Sequence, residues 1–396
     1  MVKELCIPDG VRLCRDRLWE AGWPTYPVGG CVRDLLLGRT PGDFDLTTAA
    51  RPETVMALFP RTVPTGVRHG TVTVLTGDGA VEVTTFRRES GYTDGRHPGE
   101  VRFDATLEED LARRDFTINA MALPPDGAVI DPFGGRQDLR RELIRCVGEP
   151  EQRFAEDALR MFRGVRFAAQ LGFELQTDTA RGIWRCAGLA GALSHERVRG
   201  ELEKILCSPR PGWARMLFDA GLMRRYGCIP QGAFLTLSRL PRTPAARWAG
   251  FCAVMGEEGP PLLAALRLDR KTIRACSGGF RLWKRGLPQT DAEWRRALWE
   301  YGVGAAWAGA WMGDWAGRAS SRALERVLGR GECWSVRGLA LSGSDLAALG
   351  YRGAAIGAAQ RLLLAYVLEE PSANTPARLR AYLRERTETT EEDSIC

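Results

Sequence analysis

The sequence predicts an α+β protein with its strands at the front and its helices behind. Runs rich in β-branched residues all lie before residue 90: Trp23–Val28, Asp43–Thr48, Gly70–Leu75 (GTVTVL) and Ala80–Arg87 (AVEVTTFR). From Glu149 onward apolar residues recur at helical spacing, and prolines near 209–211, 230, 241–244 and 260–261 punctuate that part. A chain of 396 residues with 44% apolar content has material for about two to four cored domains.

Taken in order, residues 4–22 carry Leu5, Val11, Leu13, Leu18 and Trp19, an amphipathic helix to pack under a sheet. Trp23–Val28 leads as a strand into the Gly29–Gly30 turn, and Val32–Leu37 opens a helix. Two adjacent glycines let backbone N–H groups approach a phosphate, the helix dipole favours the same anion, and Arg33 adds a charged fork. Asp43 and Asp45 flank Phe44 in a stretch that reads as a strand, so period-two alternation sends both carboxylates to one face. Two such carboxylates can share a pair of divalent ions for in-line phosphoryl displacement, and hard oxygen ligands favour Mg²⁺.

Pro52–Phe59 reads as a helix, and Thr76-Gly77-Asp78-Gly79 is a hairpin signal between two β runs. Arg88–Ala112 is polar and glycine-containing, and its length predicts a mobile, functional loop. In Glu149–Phe173, residues three apart drift by about 60° per step on an ideal helix. Asp157, Arg160, Arg163 and Arg166 therefore sweep one half of it, opposite Ala158, Met161, Phe162 and Val165. Ser194 starts another helix, through Leu206, with a capping-box-like residue. Trp307, Trp311 and Trp315 at i,i+4 spacing read as core packing. The end, TETTEEDSIC, is acidic, polar and expected to be disordered.

Composition excludes several classes. Eleven scattered cysteines without a C-x-x-C argue against a disulfide framework and a zinc site, and the simplest setting is a reducing cytoplasm. His69, His97 and His195 have no metal-ligand spacing. No signal pattern opens the chain, and the uncharged run Tyr301–Gly313 is too short to span a bilayer, so no membrane association is expected. A net charge of +6, with nearly all the positive charge carried by arginine, is compatible with a polyanionic partner.

The joined pattern G-G-x-V-R-D-x-L-L-G, with D-x-D beginning nine residues after Asp34, resembles the nucleotidyltransferase superfamily that includes DNA polymerase beta. Within it, the match is to class II tRNA nucleotidyltransferases, the CCA-adding enzymes, and their relatives the bacterial poly(A) polymerases. RRDFTINA (113–120) resembles the family's ribose- and triphosphate-linked motif, with Arg114 as phosphate contact and Asp115 and Asn119 reaching ribose hydroxyls or bracing the catalytic strand. Asp131–Gly135 resembles its hinge motif. Glu156–Phe167 resembles its nucleotide-selecting motif, and 194–206 the motif that braces that helix.

The resemblance covers residues 20–206 with specific motifs. It implies a nucleotidyltransferase catalytic head with a mixed β-sheet, followed by all-helical neck, body and tail domains. Their expected bounds are head 1–145, neck 146–210, body 211–290, tail 291–386 and a disordered end 387–396. It implies addition of CCA to the 3′ end of tRNA from CTP and ATP, with pyrophosphate released. The expected roles are catalysis and Mg²⁺ binding for Asp43 and Asp45. Nucleotide binding falls to Gly29, Gly30, Arg33, Arg114, Asp115, Asn119, Asp157, Arg160, Arg163 and Arg166, with Glu82 a candidate third carboxylate and body and tail gripping tRNA. Asp157 and Arg160 make chemical sense as a protein template. Cytosine and adenine each present an amino donor beside an unprotonated ring nitrogen, which a carboxylate and a guanidinium match. The retained length of 88–112 fits full CCA addition; a CC-adding enzyme, a poly(A) polymerase and a catalytically dead RNA-binding protein are the alternatives. Monomer and homodimer both stay open.

Overall fold

Strand pairing near the amino terminus builds a five-stranded mixed sheet, ordered β1-β2-β5-β4-β3, from β1 (Thr25–Val28), β2 (Asp45–Thr48), β3 (Thr62–Gly66), β4 (Thr71–Thr76) and β5 (Gly79–Thr85). β2 and β5 run parallel, and the other neighbours antiparallel. This computed structural model describes residues 7–90 and 100–392. The chain divides into two compact units, Met1–Gly227 and Cys228–Cys396.

The expected strands are present with trimmed ends, and the 76–79 hairpin turn joins β4 to β5. β3 is an addition. Pro60 and Pro64 hide it in the sequence, and it lies at the sheet edge, where a proline breaks no ladder bond. β2 begins at Asp45, so the expected strand from Asp43 is two residues too long. Val28 pairs with Asp45, and Gly29 then turns away at φ 77°, which leaves residue 43 no partner strand. Asp43 therefore sits on the loop that delivers β2.

α1 (Asp9–Glu20) buries Val11, Cys14 and Leu18 at helical spacing, and its Gly10 N–H donates 2.7 Å to Asp78 in the β4–β5 turn. α2 (Gly30–Leu36) starts directly after Gly29, two residues before the expected helix. α3 (Pro52–Leu58) falls where expected. The stretch expected as one mobile loop is partly structured. β6 (Arg88–Ser90) and β7 (Glu100–Arg102) pair antiparallel, and α4 (Leu107–Ala112) carries a full Thr106/Glu109 capping box. Residues 91–99 lie outside the described residues.

α5 (Gly135–Arg140) follows the Asp131 turn, whose carboxylate accepts from Gly135 and Arg136 N–H. β8 (Leu143–Ile144) pairs with β9 (Glu174–Leu175) around α6 (Pro150–Glu156) and α7 (Leu159–Leu171). α8 (Thr177–Cys186), α9 (His195–Leu206) and α10 (Ala214–Asp219) complete the first unit's α-helices. Ser194 caps α9 by accepting from Arg197 N–H; position 197 is arginine, so the reciprocal half of a capping box is missing.

The second unit contains α11 (Pro244–Met255), α12 (Gly259–Ala265), α13 (Arg270–Arg285), α14 (Asp291–Tyr301), α15 (Val303–Trp315), α16 (Ser320–Gly329), α17 (Gly343–Ala348), α18 (Ala354–Glu369) and α19 (Pro376–Glu392). Pro260 and Pro261 stand in the first turn of α12, where proline fits, and so do not break it. α13 and α15 cross closely: a Cβ on Gly279 would lie 2.6 Å from the Ala308 Cβ and the Gly309 nitrogen. Two apolar clusters form, one from Leu282 to Val327 and one from Cys333 to Leu383. Buried Arg295 joins them, donating from Nε to the Leu368 carbonyl at 2.8 Å and pairing with Glu332. Trp307 and Trp311 stack at 5.4 Å, half-buried, and Trp307 packs against the first cluster. α19 runs helical to Glu392, into the stretch expected to be disordered; its Arg and Glu content suits a helix. Residues 393–396 lie outside the described residues. No described helix is long and apolar enough to cross a membrane.

Candidate active site

The pairing that ends the sheet also assembles the site. Val28 lies opposite Asp45 in the ladder, so the Gly29–Gly30 turn is set beside that carboxylate. Gly29 is held at φ 77°, and a Cβ there would come within 2.9 Å of the Arg114 guanidinium. Only glycine lets the turn and this arginine approach so closely.

Arg114 follows directly after α4, whose C-cap is Arg113. Asp110, on α4, has no exposed side-chain surface. It accepts from Thr47 of β2 at 3.2 Å, from Arg113 at 3.0 and 2.7 Å and from Arg114 at 3.4 Å. Burial alone would push its carboxyl up, but the two arginine charges and these bonds hold it below the usual carboxylate range. Asp110 thus fastens the arginine pair to β2.

A cavity of about 680 Å³ lies there. All twelve residues expected in nucleotide or metal binding line it: Gly29, Gly30, Arg33, Asp43, Asp45, Arg114, Asp115, Asn119, Asp157, Arg160, Arg163 and Arg166. Residues separated by well over a hundred positions in the chain are therefore brought to one concave surface.

Their contacts sort them. Asp43 and Asp45 are exposed and offer only hard oxygen donors. Asp45 is raised by burial within the cavity walls and by repulsion from Asp43 and Glu82, against the pull of Arg114. Glu82 stands in register with Asp45 across the parallel β2–β5 ladder and is also exposed. Among the described residues no three acidic, histidine or cysteine side chains converge into a ready-made metal cage.

Asp115 is 7% exposed and fully engaged. Its Oδ1 accepts from Phe116 N–H at 2.8 Å and from Asn119 at 3.3 Å, and its Oδ2 from Arg163 Nε at 2.6 Å. Burial raises this carboxyl, and the Arg163 and Arg160 charges with these bonds outweigh it, leaving it lowered. Asn119 in turn accepts from Arg33 Nη1 at 2.8 Å, while Arg33 grips Asp34 with two bonds of 2.9 and 3.0 Å. These contacts tie Asp115 and Asn119 to Arg163 and Arg33 of the cavity, and none of them reaches β2.

Asp157 is not on the helix that carries the three arginines. It occupies an extended break, φ −145° and ψ 105°, between α6 and α7. A free carboxylate competes for backbone N–H groups, and this one accepts from Leu159 N–H at 3.0 Å, so it caps α7 from outside. Its other oxygen accepts from Arg197 Nη2 at 2.9 Å. Arg160 is oriented from three sides: Nη1 donates to Glu156 at 2.5 Å and to the Arg153 carbonyl at 3.2 Å, and Nη2 to the Arg113 carbonyl at 2.8 Å. A guanidinium carries five N–H donors and a carboxylate about four acceptor sites, so both keep capacity for a ligand. Arg166 lies 2.9 Å from Glu201 of α9 and is lowered by burial, which Glu201 partly offsets. The 194–206 stretch, expected to brace the helix, touches α7 through Glu201 to Arg166 and the break before it through Arg197 to Asp157.

His69, Arg87, Arg113, Leu159, Phe167 and Arg197 also line the cavity and went unassigned from sequence. Arg113 could have been read from its pair with Arg114. Arg197 and Phe167 lay inside quoted motifs, but their contacts are tertiary.

Comparison with known proteins agrees with this geometry. The family described as the Poly A polymerase head domain matches residues 25–145, and that described as the probable RNA and SrmB- binding site of polymerase A matches residues 172–226. A CCA-adding enzyme of Geobacillus stearothermophilus is 43% identical over 295 residues, 72% of this chain and 73% of the relative. One from Geobacillus thermodenitrificans is 46% identical over 260 residues, 64% of each chain. The crystal structure of the Bacillus stearothermophilus CCA-adding enzyme in complex with CTP superposes with a TM-score of 0.81 at 35% identity, covering 97% of this chain and 98% of that one. A Thermotoga maritima CCA-adding enzyme complexed with tRNA shares the fold at a TM-score of 0.68 and 21% identity, over 97% of both chains. With this identity across nearly three quarters of a characterised relative and a common fold over almost its whole length, the chain belongs to the class II CCA-adding enzymes.

Proposed function

We propose that this chain adds C, C and A to the 3′ end of tRNA from CTP and ATP, with the cavity of Asp43, Asp45, Asp157 and Arg160 as its active site. The observation that carries the reading is the convergence of two exposed carboxylates, a glycine turn and an oriented Asp/Arg pair on one cavity. The finer division into head 1–145, neck 146–210, body 211–290 and tail 291–386 belongs to this reading, with tRNA held by body and tail. So does a reducing, cytoplasmic setting, which suits the buried free thiols of Cys14, Cys31, Cys146, Cys252 and Cys276.

The donor set fits Mg²⁺. Two hard carboxylates repel each other at the cavity wall, and Mg²⁺ characteristically takes one or two protein carboxylates and completes its shell with substrate phosphates and water. Asp43 and Asp45 would hold the ion, which when bound neutralises charge on the attacking and leaving oxygens. The chain's own residues do the rest. The Gly29–Gly30 turn, Arg33 and Arg114 receive the triphosphate. The terminal ribose oxygen forms a bond to the α-phosphorus, and the bond to the β-phosphate oxygen breaks and releases pyrophosphate. Asp157 accepts from the base's amino group, and Arg160 donates to its ring nitrogen. Guanine and uracil set carbonyl against carboxylate and N–H against guanidinium, each unpaired group costing about 1–3 kcal/mol.

The test is incubation of tRNA lacking its 3′ end with CTP and ATP, separately and together, followed by sequencing. CC from CTP alone and CCA from both is the expected result. Long A tails from ATP alone identify a poly(A) polymerase, a stop at CC a CC-adding enzyme, and no addition at all an RNA-binding protein.

A further inference from the structure

Three arginines of the cavity surround one phenyl ring. The guanidinium carbons of Arg33, Arg163 and Arg166 lie 5.3, 5.5 and 4.3 Å from the centroid of Phe167. We propose that Phe167 is a positioning residue for the incoming nucleotide's phosphates: its π-electrons gather these three guanidiniums and hold them at the cavity wall. This rests on reading the cavity as the nucleotide site.

Three cations packed around a single ring repel one another. Each has one carboxylate partner, Asp34 at 2.9 Å, Asp115 at 2.6 Å and Glu201 at 2.9 Å. The ring contributes the attraction shared by all three, because its face is the negative end of a quadrupole. Arg166 depends on it most. Its Nε is buried and lacks an aligned hydrogen bond despite its closeness to Glu201, so charge and ring hold it in place of a directional bond. Phe167 itself is steadied by Phe116, edge-on at 5.7 Å, two residues after Arg114.

The ring is 5% exposed, which leaves too little face for a base to stack on. Its effect on the nucleotide must therefore pass through the arginines. That separates the proposal from a stacking platform, and also from plain core packing, in which any apolar residue of equal size would serve.

Stepwise fluorination of the ring tests this. Mono-, di- and trifluorophenylalanine placed at position 167 of the full chain keep the ring's size nearly constant while draining its quadrupole. Mg²⁺-CTP and inorganic tripolyphosphate binding are measured by calorimetry, beside kcat and KM for CTP and ATP on one tRNA. Affinity and KM should worsen at each step, to about tenfold with three fluorines, with kcat within about twofold and the melting temperature unchanged. Phe167→Leu should match the trifluoro protein, and Phe167→Tyr should stay near the unmodified one. A flat series in a protein that binds CTP overturns the proposal alone. Failure of the unmodified protein to bind either probe overturns the reading of the cavity, and the proposal with it.

Discussion

Arg197 Nη2 donates 2.9 Å to Asp157 Oδ2, linking the first turn of α9 to the break between α6 and α7. This bond and the one from Leu159 N–H fix the direction of the Asp157 carboxylate. Arg197→Gln should therefore loosen base choice while leaving the metal site alone. We expect the kcat/KM ratio of CTP over UTP to fall about tenfold, the scale of one lost charge-assisted bond, with kcat for CTP reduced less. A uniform loss for CTP, ATP, UTP and GTP would make Arg197 a general structural tie.

Changing the proposed reader itself should act more sharply. Asp157→Asn keeps the shape but supplies donors toward a carbonyl that the carboxylate repels. We expect relaxed rejection of UTP and GTP by about ten- to a hundredfold, with slow addition of C persisting. Arg160→Lys retains charge and loses the planar fork that now meets Glu156 and the Arg113 carbonyl. Steady-state kinetics with all four nucleotides on one tRNA decides whether this pair chooses the base or only holds RNA.

The Asp45 carboxyl is raised by burial and by Asp43 and Glu82. A raised acid is ionised only at higher pH, so the acid limb of kcat/KM at low Mg²⁺ should lie above the ordinary carboxylate range. Glu82→Gln removes one repelling charge and should move that limb down; saturating Mg²⁺ should do the same in the unchanged protein. Asp43→Ala and Asp45→Ala should abolish addition and leave tRNA affinity nearly intact. Loss of turnover at every pH in Glu82→Gln would instead make Glu82 a third metal ligand.

The β6–β7 pair gives a clean place to cut. Exchanging residues 91–99 for a short Gly/Ser linker preserves the Ser90–Glu100 pairing at its end. The retained length of 88–112, within which this segment lies, motivates the expectation that CC addition survives and addition of the final A drops at least tenfold. Equal loss of both steps, read from sequenced products, would tie the segment to catalysis in general.

Much of this site is legible in the sequence because its chemistry is local. The Gly29–Gly30 turn and the Asp43/Asp45 pair declare themselves through residue type and spacing, Arg114 through the resemblance of RRDFTINA to a family motif, and period-two runs locate four of the five strands of the main sheet. The remainder depends on contacts that spacing does not encode. Counting in threes runs straight through Asp157 and misses that α6 stops at Glu156. Pro60 and Pro64 argue against a strand that an edge position tolerates. Phe167 sits among apolar neighbours and reads as core until three guanidiniums are seen around it. Arg197 reads as a solvated helix residue until Asp157 is seen beside it. The polar run after Arg88 reads as loop because a three-residue strand pair is too short to show a period.

The break between α6 and α7 has a consequence for how errors arise. A polymerase that copies a strand keeps its instructions in an exchangeable molecule. Here the instruction would be a posture, with Asp157 aimed by a side chain 40 residues on and Arg160 by a carbonyl 47 residues back. Such a memory is only as accurate as the folding of α6, α7 and α9 around it. Warmth or mild denaturant that slackens this joint would corrupt the message while the proposed metal-binding carboxylates, at and beside the sheet, went on writing.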